Sequence, residues 1–178
     1  MAMVTPEKLA SSGSEDGTQM AYIQYTRTQL VPFFPEALLI YHTPNGGQRG
    51  DAKSAMITGG KMKAMGAQKG VPDICLPVNR CGYNNLYIEF KEPNGTGRLH
   101  REQYDYLLML AKNGNLVAII DNWAAAGALT LYYLQNDIET IRRWVDYNIT
   151  SLANNDQAMI VDPSRYAEKF KRNYQKKK

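Results

Sequence analysis

Two short segments decide how this chain folds: Gly70-Val71-Pro72-Asp73 and, beyond a turn, Leu86-Tyr87-Ile88-Glu89-Phe90-Lys91. Side chains on a β-strand alternate between its two faces. In the second segment Leu86, Ile88 and Phe90 therefore share one face, and Tyr87, Glu89 and Lys91 share the other. The apolar set suits a helix-covered core, so the polar set must line a cleft or meet solvent. Ile74 to Val78 reads as a neighbouring strand, and Asn79 to Asn85, with Gly82, Asn84 and Asn85, suits a hairpin turn between the two. Such a hairpin sets Asp73 opposite the end of Leu86–Lys91, and Asp73, Glu89 and Lys91 then converge.

Working outward, Leu99 to Lys112 is amphipathic at helical spacing, with Leu99, Tyr106, Leu107 and Leu110 on one side and Gly114 as a natural stop. Leu116 to Ile120 reads as a buried strand. Trp123 to Leu134, with its run of small residues, and Ile138 to Tyr147 read as helices. On the N-terminal side a helix is expected from Gln19 to Leu30, ended by Pro32 and Pro35, followed by a short buried strand over Ala37 to Tyr41. Ser11 to Thr18, rich in Ser, Gly and acids, reads as part of a disordered lead-in. This order of elements predicts an α/β fold, a mixed sheet flanked by helices. The expected organisation is a lead-in over 1–17, a main domain over 18–134 and a helical extension with a basic tail over 135–178.

A chain of 178 residues can build one domain with a proper core. No apolar run approaches the length of a membrane helix, and the first residues lack an apolar signal region. Cys75 and Cys81 lack zinc-site spacing. A reduced, cytoplasmic setting without a membrane is the simplest expectation. The net charge of +4 is unevenly placed, because Arg165 to Lys178 holds seven basic residues and one acid. A basic tail suits phosphate attraction or simply solubility. A second basic, Gly-rich stretch carries Arg49, Lys53, Lys61, Lys63 and Lys69 and leads directly into Asp73. The aromatic tract Tyr104, Tyr106, Tyr132, Tyr133, Trp144 and Tyr147 reads as core or subunit interface. Neither a phosphate-loop GKS nor a GxGxxG motif occurs, so no nucleotide cofactor is expected.

The convergent residues suit phosphodiester hydrolysis. A hard cation such as Mg²⁺ takes carboxylate oxygens and keeps several waters. Asp73 and Glu89 supply such oxygens, and the Phe90 backbone carbonyl offers another. Lys91 can orient an attacking water or offset charge in the transition state. His42 reads as a structural histidine at a strand end, and His100 as a helix cap or phosphate contact.

In these residues the sequence resembles the virus-type replication-repair nuclease (VRR-NUC) domain, a branch of the PD-(D/E)xK nucleases. His42, Pro44, Asn45, Gly46, Gly47 and Arg49 look like its His-x-Pro-Asn-Gly-Gly-x-Arg segment, and Lys61 to Gly66 like its approach to the active site. Gly70-Val71-Pro72-Asp73 matches its Gly-x-Pro-Asp, and Glu89-Phe90-Lys91 its Glu-x-Lys. Gln103 matches its downstream glutamine, and Gly114 with Leu116 to Ile120 its closing strand. The family's glutamate near the start of the first helix has no counterpart in Thr18 to Gln24.

The resemblance implies a restriction-endonuclease-like core and a Mg²⁺-dependent deoxyribonuclease, with Mn²⁺ able to substitute. It also implies a homodimer of phage or bacterial type, acting on double-stranded or branched DNA. Asp73, Glu89, Lys91 and Gln103 are then the candidate catalytic residues. Asn45, Arg49, Lys61, Lys63, Lys69 and Arg98 are the candidate nucleic-acid contacts. The alternative is a catalytically silent DNA-binding module of the same fold.

Overall fold

The computed structural model describes residues 4–43, 60–93, 99–147 and 159–160. At its centre is a mixed sheet in the order β1 (Tyr41–His42), β2 (Ile74–Leu76), β3 (Leu86–Phe90), β4 (Leu116–Ile120) and β5 (Met159–Ile160). β1 and β2 are antiparallel, as are β2 and β3, with Ile74 opposite Ile88, Cys75 opposite Tyr87 and Leu76 opposite Leu86. β3 and β4 are parallel, and β5 returns antiparallel to β4. A parallel pair cannot be closed by a tight turn. Helix α3 (Arg101–Lys112) lies on the connection between β3 and β4 and packs against β4.

The expected alternation holds. Ile74, Leu76, Leu86, Ile88, Phe90, Leu116, Ala118 and Ile120 face one core, with Tyr22, Ala126, Leu129, Tyr133 and Ile141 from the covering helices. Those helices are α2 (Glu15–Tyr25), α4 (Trp123–Leu134) and α5 (Ile138–Tyr147). On the other face Val117 and Ile119 meet Leu99 and Leu107 in a smaller core, which Tyr87, Tyr104 and Leu110 border. The result is three layers, with the sheet between α2, α4 and α5 on one side and α3 on the other. This is the α/β architecture that the order of elements predicts. Of the aromatic tract, Tyr133 is core, Tyr132 and Trp144 meet edge to face at 5.2 Å, and Tyr104 borders the smaller core.

Three expectations for the termini and the first edge are corrected. The segment expected to be disordered carries α1 (Pro6–Ala10) and the first turn of α2. Ser14 caps α2 by accepting from the Gly17 amide at 3.1 Å, and Glu15 and Asp16 occupy the first turn. A Ser cap followed by acids satisfies the orphan amides and the helix dipole at once. At its other end α2 passes into a wider π-turn over Thr26–Leu30. The apolar run Ala37 to Tyr41 is not a buried strand: Pro35–Leu39 forms a 3₁₀ turn with Leu38 and Leu39 exposed, and only Tyr41 and His42 pair with β2. Pro35 supplies the fixed φ that starts such a turn. Beyond Tyr147 the extension is not wholly helical, because Met159–Ile160 adds a strand to the sheet. Among the described residues, no helix is long and apolar enough to cross a membrane.

Candidate active site

The second face of the sheet holds the polar residues that β-alternation places there. Asp73 immediately precedes β2, Glu89 lies in β3, and Lys91 follows β3. Register brings the first two together: with Ile74 opposite Ile88, Asp73 stands beside the end of β3. There it accepts a hydrogen bond at Oδ2 from the Phe90 amide, at 2.8 Å. Lys91 Nζ lies 2.6 Å from Glu89 Oε1. All three residues are buried, Glu89 completely, Lys91 to 6% exposure and Asp73 to 8%. His42, expected as a structural histidine at the end of a buried strand, is exposed on the edge strand, where its Nδ1 lies 3.0 Å from the Asp73 carbonyl oxygen.

Gln103 joins them from α3. Its Oε1 accepts from the His100 amide at 2.9 Å, which caps the helix, and its Nε2 donates to Glu89 Oε1. The two contacts fix the amide's orientation, since only the NH₂ end can face a carboxylate. Glu89 Oε1 thus receives both Lys91 and Gln103. Its Oε2 is buried with no hydrogen-bond partner among the described residues.

Electrostatically the site is short of positive charge. Burial, and then repulsion from Asp73, push the Glu89 carboxyl up to about 7 against the pull of Lys91. Glu15, at the first turn of α2, belongs to the same field. Burial raises its carboxyl above the ordinary range, Lys91 opposes this, and Asp73 and Glu92 add repulsion. The reading of Thr18 to Gln24 missed Glu15 because it started the helix one turn too late. The available signal was Ser14-Glu15-Asp16, a cap followed by first-turn acids.

The donor set fits a hard divalent cation. It consists of carboxylate oxygens, a strand-end carbonyl at Phe90 and an unpaired buried oxygen at Glu89. Among the described residues no group of three or more His, Cys, Asp or Glu side chains comes close enough to hold a metal. A cation held here would rest on the Asp73–Glu89 pair, the Phe90 carbonyl and water.

The remaining expected contacts divide in two. Lys61, Lys63 and Lys69 are exposed on the segment leading to Gly70. Gly70 has φ +82, and a Cβ there would lie 2.3 Å from the Glu102 oxygen and 2.8 Å from the Gln103 nitrogen. This close approach ties the basic segment to the turn that carries Gln103. Asn45, Arg49, Lys53, Arg98 and the tail Arg165–Lys178 lie outside the described residues.

A family model for the VRR-NUC domain matches residues 18–122. Among solved structures, one described as a VRR_NUC domain protein superposes with a TM-score of 0.56 at 24% identity, covering 68% of this chain and 88% of that one. At that identity the likeness carries the fold, a restriction-endonuclease-like core. No curated protein matches the chain.

Proposed function

Because this chain belongs to the VRR-NUC family of nuclease-type domains, we propose that it hydrolyses DNA phosphodiester bonds with Mg²⁺, or Mn²⁺ in its place. The observation that carries the proposal is the buried Asp73–Glu89 pair, with Lys91 2.6 Å from Glu89 and one Glu89 oxygen unpartnered. Asp73, Glu89 and the Phe90 carbonyl are the residues that would hold the cation. When bound, such an ion polarises a phosphoryl oxygen and lowers the pKa of its water.

The chain's own residues do the rest. Lys91 places its ammonium where negative charge builds in the transition state. Gln103 holds Glu89 in one rotamer, and Glu15 adds its negative charge to the field of the site. Lys61, Lys63 and Lys69, with Asn45, Arg49 and Arg98, supply attraction to phosphate. Branched DNA as preferred substrate and a homodimer as working form are the finer parts of this reading.

The test is cleavage of supercoiled plasmid and of a four-way junction by the wild type and by Lys91→Ala, with Mg²⁺, Mn²⁺ or EDTA. Metal-dependent cutting that falls by roughly a hundredfold or more in the variant supports the assignment. Light scattering on the same samples reads the dimer. A folded wild type that binds DNA yet cuts neither substrate in either metal would give the site to a silent binding module.

A further inference from the structure

The main chain of Asp73 is gripped by two side chains that the hydrolytic chemistry does not use. Asp73 lies one residue beyond the last pair of β1 and β2, His42 with Ile74. Its carbonyl oxygen accepts from the Thr43 amide at 2.8 Å, and His42 Nδ1 lies 3.0 Å from the same oxygen. Gln19 of α2 extends the chain of contacts, its Nε2 2.9 Å from His42 Nδ1. Opposite partners on paired strands share a face. His42 therefore stands with Ile74 and Ile88 on the face that α2 covers, and reaches Asp73 from behind the carboxylates.

These distances assign the hydrogen on His42. A bare nitrogen lone pair would be repelled by a carbonyl oxygen at 3.0 Å, so Nδ1 carries the hydrogen and donates it to Asp73. The carbonyl can only accept, whereas a carboxamide can present either end. Gln19 therefore turns its oxygen to the ring, and the Nδ1 hydrogen lies between two acceptors. The grip falls where the pairing is weakest. β1 pairs over two residues, and Pro72, next along, has no amide to donate. On its other side Asp73 Oδ2 accepts from the Phe90 amide. A main chain that swings at Asp73 carries its carboxylate away from Glu89.

We propose that His42 and Gln19 are positioning residues, which clamp the Asp73 main chain to β1 and α2 and so set its carboxylate against Glu89 before a cation arrives. The inference rests on the nuclease reading and names residues that set cation affinity at that same site. Groups one shell out from a metal change its affinity by about ten- to a hundredfold. His42 is exposed, and a hydrogen bond that water can replace adds little to folding. The clamp therefore acts on cation binding rather than on stability.

The experiment titrates the DNA-free protein with Mn²⁺ alone, reading free Mn²⁺ by electron paramagnetic resonance, and follows thermal unfolding in EDTA on the same samples. His42→Ala is expected to bind Mn²⁺ about tenfold more weakly while melting close to the wild type. His42→Asn, whose amide nitrogen takes the place of Nδ1, should regain most of the affinity, and Gln19→Ala should lose part of it. In plasmid cutting by His42→Ala, the Mn²⁺ concentration at half-maximal rate should rise by the same factor, and saturating Mn²⁺ should restore the rate. Unchanged Mn²⁺ affinity in His42→Ala, or His42→Asn no better than His42→Ala, overturns the clamp alone. So does a rate that stays low at saturating Mn²⁺ with affinity intact, which would set His42 against the substrate. If His42→Ala does not fold, Gln19→Ala decides, and full affinity there overturns the clamp. A wild type that binds no Mn²⁺ at millimolar concentration overturns the clamp and the metal-dependent nuclease reading together.

Discussion

Glu89 concentrates the opposing demands of folding and function. It is fully buried and held at one oxygen by Lys91 and Gln103, and its carboxyl is raised to about 7 by burial and by Asp73. In the unfolded chain the same group titrates near 4.5. A pKa raised on folding contributes stability that is complete below the unfolded value and is lost as pH rises through the folded one. The metal-free protein should therefore weaken between pH 5 and pH 8, by up to about 3 kcal/mol for the shift at Glu89 alone. Thermal unfolding in EDTA across that window reads it. Glu89→Gln should flatten the curve, and added Mg²⁺ should raise the melting temperature more at pH 8 than at pH 6. A wild type equally stable at both ends would show that Glu89 ionises without strain. Gly70 makes a second residue-scale case. Gly66 and Gly70 both have positive φ, yet a Cβ at Gly66 meets nothing within 4 Å while one at Gly70 meets the α3 backbone. Alanine at either position should cost about 1 kcal/mol for conformation. At Gly70 it should cost more and should lower cleavage as well, because Gln103 must shift. Equal losses in the two variants would mean that α3 accommodates the methyl group freely.

At the scale of elements, α2 links its own N-terminal cap to the site. Ser14 caps it and Glu15 follows, so the cap sets where that carboxylate stands. Ser14→Ala should cost about 1 kcal/mol and raise the Mg²⁺ concentration needed for cutting, whereas Ser14→Asp should preserve both. Calorimetry with a metal titration of activity separates the two effects, and a cap variant with unchanged metal demand would remove Glu15 from the site.

The same elements show what a sequence can carry. β4, α4 and α5 were legible to the residue, because β4 is rich in β-branched side chains and set off by Gly114 and Asp121, while α4 and α5 are runs of helical length that start after the polar breaks Asn122 and Asn136-Asp137. Glu89 and Lys91 were legible because strand alternation alone puts them on one face. The beginning of α2 was misread because a Ser–Gly–acid stretch serves equally as flexible chain and as helix cap. Ala37 to Tyr41 was misread because five apolar residues do not distinguish a buried strand from a 3₁₀ turn. The meeting of Gln19, His42 and the Asp73 main chain depends on strand order and register across β1 and β2, which no local pattern reveals.

For the whole molecule, the charge distribution argues for how DNA is gathered. Seven of the 21 Lys and Arg residues fall between Arg165 and Lys178, while the carboxylates of the site repel a phosphate until a cation offsets them. Attraction must then come from basic residues set around the site. Lys61, Lys63 and Lys69 satisfy this, being exposed on the segment that Gly70 joins to the Gln103 turn. Each phosphate contact adds about −0.9 to the slope of log K against log salt. Replacing Lys61 and Lys63 with alanine should therefore flatten that slope by about 1.8 for duplex DNA, with the loss of affinity greatest at low salt. Replacing Lys176, Lys177 and Lys178 in the same way tests the tail. A slope change there but none at Lys61 and Lys63 would assign the electrostatic footprint to the chain end and leave the Gly-rich segment as scaffold. The reverse would make that segment the guide that delivers the backbone to Asp73 and Glu89. Changes that add when both sets are replaced would mean that tail and segment hold the same duplex at separate phosphates.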